Sequence, residues 1–147
     1  MPLVLIPHVH RATHRIALFL ARSKEFKVSQ AEAHILAHLI SSGPCTVGEL
    51  HNALAHRRST LTSILDRLFE RGLITRETSS ADRRSFVIAL TPEGKKVGKA
   101  VYESLRDLER RTLGNFRRDE IQTVAEILSA LAGEKGKTSK GGRRIPG

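Results

Sequence analysis

The chain has 147 residues, 39% of them apolar, with a formal charge of +10 and a pI near 10.6. That length suits one domain, or one domain with a helical extension, and the apolar share is ordinary for a soluble protein. The opening PLVLIP is far too short for a membrane span and lacks the basic region and cleavage site of a signal peptide. The single Cys45 can make no internal disulfide, so a disulfide scaffold is excluded and a reducing, cytoplasmic setting is expected. The charge favours a polyanionic partner, but it is unevenly spread. Lys135, Lys137, Lys140, Arg143 and Arg144 against Glu134 put +4 in the terminal stretch, leaving +6 for the rest.

In chain order, Ala12, Ile16, Phe19 and Leu20 recur at helical spacing and predict a first helix over about 8–25. SQAE at Ser29–Glu32 is a capping-box pattern. It opens a second helix that carries Ile35, Leu36, Leu39 and Ile40 to about Ser41, where SSGPC breaks it. TVGE at Thr46–Glu49 opens a short third helix with Val47, Leu50 and Leu54. A fourth, about 58–71, places Leu61, Ile64, Leu65 and Leu68 on one buried face, and Gly72 stops it.

Residues 73–78 and 85–90 are the two predicted strands, joined by the polar SSADRR as a hairpin. In the second, Phe86, Ile88 and Leu90 alternate with Ser85, Val87 and Ala89. Thr91 and Pro92 then read as N-cap and first residue of a fifth helix, about 92–112. A sixth spans about 119–132. The apolar stripes of helices one, five and six exceed what a small domain buries, so a second copy of the chain is their expected cover. The expected domains are an N-terminal dimerisation helix (1–28), a DNA-binding region (29–91), C-terminal dimerisation helices (92–132) and a basic disordered tail (133–147).

Helices three and four have the order of a helix-turn-helix, whose second helix leads into the major groove with its N-terminal residues. With its leucines turned inward, the outward set is Ser59, Thr62, Ser63 and Asp66, flanked by Thr60 and Arg67, with Arg57 and Arg58 at the start. Hydroxyls and arginines suit phosphates and base edges. Asp82, Arg83 and Arg84 form the hairpin tip, from which arginine can enter the adjacent minor groove. Asp82 is expected to orient Arg84 or an arginine of helix four.

The stretch STLTSILDRLFERGLITRETSSADRRSFVIALTPEG resembles the recognition helix and wing of the MarR family of winged helix-turn-helix transcriptional regulators. The family's Asp-x-Arg wing signature and its apolar-x-Leu-Thr ending are met by Asp82, Arg84, Ile88, Leu90 and Thr91. The resemblance implies a mainly α (α+β) fold, a winged helix-turn-helix with a two-stranded wing between dimerisation helices. It implies a homodimer on a pseudo-palindromic double-stranded DNA site, and usually repression relieved by a small ligand or by oxidation. His51, His56 and Ser63 depart from the family's common residues, so base preference does not transfer. An architectural DNA-binding protein with little sequence specificity is the alternative; no enzyme motif is present.

Sensing residues are less defined. The family suggests a small aromatic effector, for which His14, Phe19, His34 and His38 offer lining. His34 and His38, at i and i+4, are a legitimate metal-ligand spacing, but no four-residue set is complete and no cofactor is expected. Cys45 has no basic neighbour in sequence to activate it.

Overall fold

The computed structural model describes residues 2–78 and 86–133. They form two compact units that divide after Asp107. In the first unit, α1 spans Ile6–Ala21, α2 Gln30–Ser42, α3 Val47–Leu54 and α4 Arg58–Glu70. Three strands complete it: β1 Cys45–Thr46, β2 Ile74–Thr78 and β3 Phe86–Leu90. Helix α5, Pro92–Leu113, begins in this unit and ends in the second, which also holds α6, Arg118–Leu131.

Local chemistry explains the boundaries. Ser29 Oγ accepts from the Glu32 N–H at 3.1 Å and Glu32 Oε1 accepts from the Ser29 N–H at 3.0 Å, so the expected capping box starts α2. Thr46 supplies the hydroxyl arm of the second cap, accepting from the Glu49 N–H. Ala55 ends α3 in the left-handed region at φ 55°, turning the chain into α4 within three residues. Gly72 ends α4 with φ 72°, and the Leu73 N–H reaches back to the Leu68 carbonyl at 3.0 Å. First-helix boundaries shift from the expected 8–25 to Ile6–Ala21, with Pro7 in the opening turn, where a missing N–H costs nothing.

One element was not anticipated. The sheet has three strands in the order β1-β3-β2, all antiparallel, with Cys45 opposite Ile88 and Ile74 opposite Leu90. Two residues carry no readable alternation, so β1 hides in what reads as a helix-breaking loop. It ties the start of the helix-turn-helix to the hairpin.

The core of this unit joins α2, α3, α4 and the sheet through Leu36, Leu50, Leu61, Ile64, Leu68 and Ile88, each at most 2% exposed. A smaller cluster packs Leu20 of α1 and Phe26 against Ala33 and Val101. The α5 stripe is therefore partly covered within the chain: Val101 is fully buried, and Val97 and Leu105 pack on these clusters. That narrows the expectation that α5 needs a second copy. In the second unit, the Arg117 N–H donates to Glu120 Oε1 at the start of α6. Val124, Ile127, Leu128 and Leu131 of α6 stay 41–53% exposed.

Candidate nucleic-acid interface

The buried leucine row of α4 dictates what its other face presents. Leu61, Ile64, Leu65 and Leu68 are buried, whereas Arg57, Arg58, Ser59, Thr60, Thr62, Ser63 and Arg67 are exposed. The sequence-read set therefore lies on the open side of one helix. Arg57 is the N-cap and makes no side-chain capping bond. Among the described residues the first N–H groups of α4 thus have no capping side chain, a start suited to a phosphate oxygen. The hydroxyls are engaged differently from the sequence expectation. Thr62 Oγ1 donates to the Arg58 carbonyl at 2.9 Å and Ser63 Oγ to the Ser59 carbonyl at 3.1 Å. In this state they offer lone pairs rather than protons, and donating to a base would require rotation.

Asp66 is half-buried, and it is committed. Arg76 Nη1 donates to Asp66 Oδ1 at 2.8 Å, and the guanidinium carbon lies 4.6 Å from the centroid of the exposed Phe69 ring. Arg76 escaped the sequence reading because its partners lie on another element; strand parity with Ile74 is the signal that could have found it. The tip residues Asp82, Arg83 and Arg84, including the proposed support of Arg84 by Asp82, lie outside the described residues. So does the basic tail from residue 134 onward.

A second unanticipated arginine holds the far end of the helix. Arg71, the C-cap of α4, donates from Nη1 to Glu32 Oε2 at 3.0 Å and from Nη2 to the Lys27 carbonyl at 2.7 Å. Glu32 is only 5% exposed. Burial pushes its carboxyl pKa up, but the Ser29 bonds and the Arg71 guanidinium outweigh burial and hold it below the usual value. Glu32 is thus both half of the α2 cap and an anchor for the end of α4.

The residues considered for sensing are dispersed. Phe19 packs on the cluster of Leu20, Phe26 and Val101, so its ring is partly core. His14 is exposed and lies against His10, ring centroids 5.7 Å apart. His34 and His38 are half-buried on α2. Burial, then the nearby His56, lower the His34 pKa and favour its neutral form. Among the described residues no three His, Cys, Asp or Glu side chains are grouped to hold a metal ion. Cys45 is buried in β1, and burial with the Glu49 carboxylate pushes its thiol up to about 11. Such a thiol is a poor nucleophile.

No helix among the described residues is long and apolar enough to cross a membrane. A family model described as MarR matches residues 28–86. The transcriptional regulator PecS of Dickeya dadantii is 37% identical over 125 residues, covering 80% of this chain and 75% of the relative. A mutant of MarR from E. coli solved with operator DNA superposes with a TM-score of 0.69 at 22% identity, covering 86% of this chain and 92% of that one. NadR in complex with 4-hydroxyphenylacetate superposes with a TM-score of 0.77 at 23% identity, covering 90% and 98%. At these identities the structural likeness establishes the winged-helix fold.

Proposed function

The chain belongs to the MarR family of DNA-binding transcriptional regulators, and from that premise we propose that two copies bind one pseudo-palindromic site on double-stranded DNA in the cytoplasm and repress transcription. The exposed polar face of α4, set against its fully buried leucine row, is the observation that carries this reading. Helix α4 lies in the major groove, with Arg57, Arg58, Ser59, Thr60, Thr62, Ser63 and Arg67 towards the DNA. Asp82, Arg83 and Arg84 serve the adjacent minor groove. The two recognition helices must then stand about 34 Å apart, one turn of DNA.

Fluorescence anisotropy on the DNA upstream of the protein's own gene, beside a scrambled duplex, tests the reading. A preference of ~10³-fold or more is expected for specific recognition. Arg58→Ala together with Thr62→Ala should reduce that preference at least tenfold, as loss of an arginine–guanine pair does. Near-equal binding to both duplexes with a steep salt slope would replace the regulator with an architectural protein. A reporter that fails to rise when the gene is deleted would remove the repressor assignment.

Dimerisation is supported by the apolar residues left exposed at both ends of the chain, Leu3, Val4, Leu5 and Ile6 with Val124, Ile127, Leu128 and Leu131. Light scattering should give twice the 16.3 kDa chain mass. Leu128→Asp combined with Leu131→Asp should shift the protein to monomer and weaken operator binding by two orders of magnitude or more, because each half-site alone loses the tethered second contact.

An effector acts, in this reading, by preferring a dimer spacing that does not fit DNA. The ligand-bound NadR supports a small aromatic acid as its class, with His14, Phe19, His34 and His38 as candidate contacts.

A further inference from the structure

The antiparallel register sets Arg76 opposite Ile88, and alternation puts Arg76 on the same sheet face as Ile74. That face packs on α4: Ile74 and Ile88 are both in the core with Leu61 and Leu65. Thr75 and Glu77 take the opposite face. An arginine on the packed face is unfavourable unless its stem lies along the core edge and its charged head escapes. The head escapes over α4, between Asp66 and Phe69.

Its exit point has a functional address. Asp66 and Phe69 continue, at helical spacing, the exposed row begun by Ser59 and Thr62. A carboxylate in a row that faces DNA would repel phosphate, and Phe69 in the same row is 46% exposed. Arg76 bears on both, pairing with Asp66 and lying over one face of the ring, which stays partly exposed. Asp66 is its one ionic partner among the described residues and engages it through Nη1. A guanidinium presents five donors in a flat fork, so an anion can be met on another edge.

We propose that Arg76 is a phosphate-binding residue, oriented by Asp66 and Phe69 to hold the DNA backbone beside the groove occupied by α4. The assignment rests on the reading of α4 as the major-groove helix. Asp66 is then a positioning residue rather than a base reader.

Arg76→Gln keeps the stem and an amide for Asp66, while Arg76→Lys keeps the charge and loses the fork. Lys99→Gln, an exposed lysine on α5, removes the same charge elsewhere and sets the background. Each protein, with its fold checked by thermal melting, is titrated with the upstream duplex and the scrambled duplex across a salt series. Arg76→Gln should weaken both complexes by a similar factor, roughly tenfold, as for loss of a charge-assisted bond. Its log–log salt slope should be shallower by about 0.9 per protomer bound, and the slope of Lys99→Gln should not be. Arg76→Lys should retain the parent slope. Loss on the upstream duplex alone, with an unchanged slope, would make Arg76 a strut between β2 and α4 and overturn the proposal. If Arg76→Gln melts far below the parent, the slope of Arg76→Lys decides: a shallower slope than the parent's also overturns it. Absence of binding by the parent protein to either duplex removes the major-groove reading itself, and this assignment with it.

Discussion

Gly94→Ala is expected to destabilise the protein by about 3 kcal/mol or more, at or beyond the upper end for overpacked sites, and to abolish DNA binding at physiological temperature. A Cβ built on Gly94 would meet the Leu73 carbonyl oxygen at 1.8 Å, with the carbonyl carbon at 2.8 Å. The obstacle is backbone, so no rotamer change relieves it. That backbone is also pinned: the Leu73 carbonyl accepts from the Thr91 N–H at 3.1 Å, and Thr91 Oγ1 donates to the Gly72 carbonyl at 2.6 Å while accepting from the Gly94 N–H. The start of α5 is thus joined directly to the turn that ends α4. Separating them would move the end of α4 or the strand that follows it. Thermal melting against Gly48→Ala gives the comparison, since a Cβ on Gly48 has only Thr46 Oγ1 nearby, at 3.8 Å. A Gly94→Ala protein that melts with the parent and binds the same duplex would show that α5 is not rigidly seated on this turn.

This seating bears on how a signal could reach DNA. Gly98, one turn along, faces Ile40 of α2, where a Cβ would come within 2.9 Å of Cγ1. The first two turns of α5 are therefore packed closely against α2 and the turn that ends α4. If the proposed effector shifts this part of α5, the displacement is expected to reach α4 as well, because packed interiors switch between arrangements rather than deform smoothly.

Periodicity and local capping chemistry made most of the fold legible. The buried row of α4 is a local pattern, and so are the Ser29–Glu32 box and the Thr91–Pro92 start of α5. The outward face of α4 follows from the same row by exclusion. What stayed hidden depends on elements meeting across sequence. Strand β1 exists only because Cys45 and Thr46 pair with Ile88 and Val87. Arg71 finds Glu32 at a separation of 39 residues, and Arg76 finds Asp66 only once the sheet packs on α4. Asp66 was legible as part of the outward face of α4, but its partner was not. The hydroxyls of Thr62 and Ser63 show the converse limit, since their residue type suits bases while the helix itself takes their protons.

Glu32→Ala should cost about 2 kcal/mol, as for loss of a helix cap together with a charge-assisted bond whose arginine is partly exposed, and the loss should depend on pH with a definite sign. The substitution orphans the Ser29 N–H at the start of α2 and leaves Arg71, among the described residues, the Lys27 carbonyl as its hydrogen-bond acceptor, loosening both ends of the α2–α4 contact. In the parent protein the Glu32 carboxyl titrates below its ordinary value in the folded state. The unfolded chain therefore binds this proton more readily, and the carboxylate stabilises the fold fully above the ordinary glutamate range of about 4.3. Its contribution fades as pH falls through the lower, folded value. Urea denaturation at neutral pH and at several points below 4 should show the parent converging on Glu32→Gln, which retains the size and one acceptor but not the charge. Because Arg71 caps α4, the neutral-pH deficit should also appear in operator affinity. A gap between parent and Glu32→Gln that stays constant down to the most acid point would mean that the charge is not what Arg71 holds, and that Glu32 acts only as a cap for α2.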